Sequence, residues 1–149
     1  MNAADETLFP ILIVDDNPLL LEFMQDALQE LRDFTVVTAT NGIDGLEQFY
    51  QIHPACAIID VKMPGLNGYQ LVRALRGDPE TAQTPLILLT ALAQDIDQFA
   101  GLAAGADQYL RKPIDLLELV QAVYRAIQIS DEERQQRLSI LAEESAHGL

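Results

Sequence analysis

The sequence predicts a doubly wound α/β domain, a five-stranded parallel sheet with helices on both faces. Three observations predict it. Five short runs of apolar and β-branched residues recur along the chain, and stretches with helical spacing separate them. Several of these runs are apolar without alternation, as in strands buried on both faces. Parallel neighbours need a crossover, and a helix supplies it.

The first run is Ile11-Leu12-Ile13-Val14, followed at once by Asp15-Asp16. Residues 1–9 carry no pattern and read as a loose tail. Leu19, Leu20, Phe23, Met24, Ala27, Leu28 and Leu31 recur at helical spacing and predict the first helix. Residues 34–38 are rich in β-branched side chains and read as the second strand. Asn41-Gly42 breaks the chain, and residues 43–50 form a short helix. Ala57-Ile58-Ile59-Asp60 is the third strand, again ending in an acid.

Pro64-Gly65 marks a loop, and Asn67 stands where it can cap the next helix. Tyr69, Leu71, Val72 and Leu75 form the inner face of that helix. Polar residues 77–85 lead to Leu86-Ile87-Leu88-Leu89-Thr90, the fourth strand. Ile96, Phe99, Ala100 and Ala103 predict a helix that Gly105 ends, and Tyr109-Leu110 is a short fifth strand. Asp115 with Glu118 makes a capping-box-like start for a last helix carrying Leu116, Leu119, Val120, Val123 and Ile127.

Composition narrows the function. A chain of 149 residues fits one domain with a little left over. Nine basic residues against 23 acidic give a net charge of −14, which repels nucleic acid and argues against direct DNA or RNA binding. No apolar run is long enough to span a bilayer, and residues 1–10 lack the basic start and apolar stretch of a signal peptide. The single Cys56 excludes an internal disulfide, suits a reducing cytoplasm and reads as a small core residue. His53 and His147 have no partner at ligand spacing, which argues against a transition-metal site.

In open α/β sheets, ligands bind outside the carboxyl ends of the strands. The residues there are Asp15 and Asp16 after strand one, Asp60 at strand three, Thr90 at strand four and Lys112 past strand five. Three converging carboxylates raise one another's pKa unless a cation is present. A hard divalent ion such as Mg2+ suits one or two carboxylates plus water. Lys112 adds a point charge for a phosphoryl oxygen and Thr90 a hydroxyl. Together they suit a phosphoryl group on a carboxylate. Taken singly, each has a plainer reading: an acidic pair as a helix cap, a threonine as a strand former, a lysine as a solvated charge.

With these residues in order, the chain resembles the response-regulator receiver domains of two-component signalling. The resemblance runs through Ile11-Leu12-Ile13-Val14-Asp15-Asp16, then Asp60-Val61-Lys62-Met63-Pro64-Gly65-Leu66-Asn67-Gly68, then Leu88-Leu89-Thr90-Ala91, and finally the stretch from Gly105 through Tyr109 to Lys112-Pro113. It covers roughly residues 9–129. It implies a flavodoxin-like strand order of 2-1-3-4-5, a receiver domain at 10–129 and a helical extension or linker at 130–149. It further implies Asp60 as phosphoacceptor. Asp16 would be a direct Mg2+ ligand, Asp15 a ligand acting mainly through water, and the Lys62 backbone carbonyl the third. Thr90 corresponds to the switch hydroxyl, Tyr109 to the aromatic switch residue and Lys112 to the phosphoryl-binding lysine, with Lys112-Pro113 in the cis form. Lys62 and Leu92 fall at positions that tune the lifetime of the phosphoryl group.

The resemblance implies a cytoplasmic signalling domain that assists only its own phosphorylation and dephosphorylation. The donor would be a histidine kinase or phosphotransfer protein. The output would be a downstream protein or a covalently linked domain, read through the face of the fourth helix, fifth strand and last helix. A homodimer is a further option. Tyr109 can equally be read as an aromatic at a sheet edge.

Rival readings meet specific obstacles. A haloacid-dehalogenase phosphatase needs a second acid two residues after its nucleophile, where this chain has Lys62. A flavin-binding flavodoxin needs a phosphate loop after strand one, where this chain has Asp15-Asp16-Asn17-Pro18. A docking module without phosphorylation is the third alternative. After Ile127, Ser130 with Glu133 predicts a separate helix over about 131–146 with a thin stripe of Leu138, Ile140 and Leu141. That stripe reads either as a partner contact or as a solvated extension, and whether the natural chain continues past Leu149 stays open.

Overall fold

A computed structural model of the chain describes residues 8–91 and 105–128. Five strands form one parallel sheet in the order β2-β1-β3-β4-β5. They are β1 (Phe9–Val14), β2 (Phe34–Ala39), β3 (Cys56–Asp60), β4 (Leu86–Thr90) and β5 (Gln108–Arg111). Four helices are described: α1 (Pro18–Gln29), α2 (Gly42–Ile52), α3 (Gly68–Arg76) and α4 (Leu116–Gln128). The helix expected over 96–103 and the one over 131–146 lie outside the described residues.

β1 begins two residues before its apolar run, because Phe9 and Pro10 pair with Phe34 and Thr35 of β2. Side chains on a strand alternate between faces, so each strand feeds two cores. Ile11, Ile13, Ile58, Ile87 and Leu89 pack with α1 and α4. Leu12, Val14, Ala57, Ile59, Leu86 and Leu88 pack with Phe49 of α2 and with Leu71, Val72 and Leu75 of α3. All eleven strand residues are fully buried. Each full-sized one contributes about 1.5–3 kcal/mol.

The inner face of α1 is narrower than helical spacing suggests. Leu21, Met24 and Leu28 are buried, whereas Leu19 and Phe23 are exposed. With Leu19-Leu20-Leu21 all apolar, periodicity alone cannot select the face. Helix α3 starts as expected, with Asn67 and Gln70 closing a reciprocal capping box. Asp115 caps α4 by accepting from the Leu117 amide at 2.8 Å. Cys56 is fully buried, and burial pushes its thiol well above the ordinary range, as an inert core residue requires.

One contact network was not foreseen. Arg76, the last residue of α3, donates to the carbonyls of Gly105 (2.8 Å), Ala82 (2.9 Å) and Thr84 (2.7 Å). It also pairs with Asp107 at 2.7 Å, and the same carboxylate oxygen accepts from the Leu86 amide. One guanidinium therefore ties the end of α3 to the starts of β4 and β5.

Candidate phosphoacceptor site

The carboxyl ends of β1, β3, β4 and β5 gather the residues singled out above. Asp15 and Asp16 follow β1, Asp60 ends β3, Thr90 ends β4 and Lys112 follows β5. Carboxylate oxygens of Asp15, Asp16 and Asp60 lie within 4.8 Å of one another. The Lys112 ammonium is 3.2 Å from Asp15 Oδ2 and 3.1 Å from Asp60 Oδ1. Asp15, Asp60 and Thr90 are buried, and Asp16 is exposed.

The backbone explains this convergence. Each strand points its last residue at the same sheet edge, and Lys112 is held there by its own amide, which donates to the Thr90 carbonyl at 2.7 Å. The Val61 amide likewise donates to the Leu89 carbonyl at 2.9 Å and fixes the end of β3. Asn17, not the acidic pair, caps α1: its side chain accepts from the amides of Leu19 and Leu20. Asp15 Oδ1 accepts from the Asn17 amide at 2.9 Å. The plain capping reading of the acids therefore fails, and they remain for the site.

The electrostatics favour a cation. Among the described residues, three carboxylates face one ammonium here. Burial, then repulsion from Asp15, raises the Asp60 carboxyl above its ordinary value, and Lys112 offsets this only in part. Burial also works against the Lys112 ammonium, but the two facing carboxylates reverse it and raise its pKa. Asp15 Oδ2 is buried and faces the Lys112 ammonium at 3.2 Å, but accepts no well-aligned hydrogen bond among the described residues. A buried carboxylate oxygen that shares one ammonium with a second buried carboxylate, beside a third acid, fits a hard divalent ion.

Beside the acids opens a cleft of about 450 Å³, lined by Val61, Lys62, Met63, Pro64, Asn67, Tyr69 and Thr90. Met63, Asn67 and Tyr69 were not singled out from sequence as site residues. Their position directly after Asp60, across the Pro64-Gly65 turn, was the available signal; Gly65 has φ +76°, which suits glycine. Tyr109 is half-buried on β5, in register with Leu88. The Lys112-Pro113 bond is cis. Leu92 lies outside the described residues.

Comparison with known proteins decides the family: residues 11–124 match the response regulator receiver domain. The chain belongs to the response regulator receiver family. The receiver is 40% identical over 116 residues to the protein PilH of Pseudomonas aeruginosa, covering 76% of this chain and 95% of PilH. It is 35% identical over 121 residues to RpaA of Synechocystis, a DNA-binding dual master transcriptional regulator, covering 81% of this chain and 50% of RpaA. The chain thus spans about half the length of some curated relatives and nearly all of another.

Among solved structures, a putative response regulator from Chloroflexus aurantiacus superposes with a TM-score of 0.77 at 35% identity, covering 81% of this chain and 98% of that one. The receiver domain of the sensor histidine kinase PA1611 from Pseudomonas aeruginosa matches with a TM-score of 0.75 at 30% identity, over 81% and 98% of the two chains. That structure has a magnesium ion coordinated in its active-site cleft. Receivers are signalling domains of two-component systems. No helix among the described residues is long and apolar enough to cross a membrane.

Proposed function

We propose that this receiver accepts a phosphoryl group on Asp60 from a phosphohistidine of a histidine kinase or phosphotransfer protein. The observation that carries this reading is the burial of Asp60 within 3.1 Å of the Lys112 ammonium and beside Asp15 and Asp16. Asp15, Asp16, Asp60 and the Lys62 carbonyl would hold Mg2+. When bound, the ion neutralises charge on the oxygens of the transferring phosphoryl group.

The chain's own groups do the rest. An Asp60 oxygen attacks phosphorus in line, the bond from phosphorus to the donor imidazole breaks, and an acyl phosphate forms on the carboxylate. Lys112, freed from Asp60, pairs with a phosphoryl oxygen. The Thr90 hydroxyl turns to the new dianion, and Tyr109 follows it inward. The surface around β5 and α4 then differs between the two states and is read by a downstream protein or linked domain. The receiver itself binds no nucleic acid or membrane and performs no turnover on other substrates. It occupies residues 10–129 in the cytoplasm, with residues 130–149 as an extension or linker.

Incubation with Mg2+ and acetyl phosphate tests the reading. Intact-mass measurement is expected to show one added phosphoryl group on the wild type and none on Asp60→Asn. Labelling that persists in Asp60→Asn would refute the assignment.

A further inference from the structure

Asp60 is the last residue of β3, and Lys62 lies in the short excursion that follows it, residues 61–67, before α3. Two glycines press on the two ends of that segment. A β-carbon at Gly68 would lie 2.3 Å from the Asp60 carbonyl oxygen and 2.8 Å from the Val61 Cα. A β-carbon at Gly42, the first residue of α2, would lie 2.4 Å from the Leu66 carbonyl oxygen and 2.9 Å from the Leu66 Cβ. The obstructing atoms are mostly backbone, which cannot swing aside as the tip of a side chain can. By contrast, the atoms nearest a β-carbon at Gly45 would be side-chain atoms, the methyl groups and Cβ of Val14.

Both ends of the segment are tethered. The end of β3 is held from the far side by the hydrogen bond from the Val61 amide to Leu89. Leu66 packs on the core shared by α2 and α3. Gly68 is held by its own amide, which donates to the Val61 carbonyl at 2.9 Å, and by the Asn67–Gln70 capping box. Gly42 follows Asn41, whose side chain caps α2 through the Asp44 amide at 2.8 Å. A methyl at either position must therefore displace the segment that presents the Asp60 carboxylate and the Lys62 carbonyl.

We propose that Gly42 and Gly68 are positioning residues for this site: by lacking side chains they clamp the segment 61–67 between α2 and β3, and so set the Asp60 carboxylate and Lys62 carbonyl against Asp15 and Asp16. The proposal rests on the phosphoacceptor reading above. Mg2+ affinity, measured by calorimetry on protein shown by circular dichroism to be folded, is the direct readout. Gly42→Ala and Gly68→Ala are expected to weaken Mg2+ binding about 10- to 100-fold, the loss typical when the supports of metal ligands are disturbed. Leu28→Ala, a core truncation on the opposite face of the sheet, is expected to lower stability and leave Mg2+ affinity unchanged.

Folded glycine variants that bind Mg2+ and take up phosphoryl from acetyl phosphate as the wild type does would overturn the clamp alone. A wild type that does neither overturns the phosphoacceptor reading and the clamp with it. If both alanine variants fail to fold, amide exchange in the wild type decides. The Gly68 amide is expected to exchange more slowly with Mg2+ bound, and an unchanged rate overturns the proposal.

Discussion

Asp60 shows how a single side chain can be set against the fold that carries it. Burial and the neighbouring Asp15 raise its pKa above the ordinary carboxylate value, and Lys112 compensates only partly. The folded state therefore takes up this proton more readily than the unfolded chain does. The ionised carboxylate lowers stability above its folded pKa, and the penalty fades as pH falls through that value toward 3.8. Without divalent ions at neutral pH, Asp60→Asn is expected to melt at a higher temperature than the wild type, and the gap is expected to narrow as the buffer is acidified. Added Mg2+ is expected to stabilise the wild type by mass action and the variant much less. Thermal melts of both proteins with and without Mg2+ check this; a variant that melts below the wild type in the absence of metal would contradict it. Asp15, Asp16, Asp60, Thr90 and Lys112 were all legible in the sequence, because each ends or follows a strand. The glycine contacts were not, because a glycine that faces a backbone carbonyl reads the same in sequence as one that only makes a turn.

Among the elements, α3 shows how a helix is fixed at both ends. Its start is closed by the capping box of Asn67 and Gln70, and its end by the Arg76 guanidinium spread over three carbonyls and Asp107. Removing the guanidinium leaves several partly buried acceptors without a donor. Arg76→Met is expected to destabilise the domain by roughly 2–4 kcal/mol, more than an ordinary surface substitution. A double-mutant cycle with Asp107→Asn in urea is expected to show coupling of about 0.5–3 kcal/mol; additive effects would mean that the pair does not act together. The cap at Asn67 could be anticipated from its position before an apolar stripe. The Arg76 network could not, because its partners lie 6 to 31 residues away and no local spacing reports them.

At the scale of the whole fold, the described residues form two cores divided by one sheet. Leu28 belongs to the layer under α1 and α4, and Leu75 to the layer under α2 and α3. Each is fully buried, so Leu28→Ala and Leu75→Ala are each expected to cost about 2–5 kcal/mol. Because the sheet separates the sites and they share no cluster, the double variant is expected to show the summed cost within about 0.5 kcal/mol. Equilibrium unfolding of the two single variants and the double variant measures this, and strong non-additivity would show that the layers are coupled through the sheet.

Strand runs, helix stripes and their alternation were determined by the sequence alone, because they follow from local periodicity and from the crossover that parallel strands require. The rule that ligands gather at the carboxyl ends of such strands then named the acidic trio, the hydroxyl and the ammonium. Only the tertiary structure decided which face of α1 is buried, that Asn17 rather than the acids caps that helix, and that Gly42 and Gly68 meet backbone carbonyls across the site. Those are contacts between segments distant in the chain, and their distances depend on how whole elements pack, which no single stretch of sequence encodes.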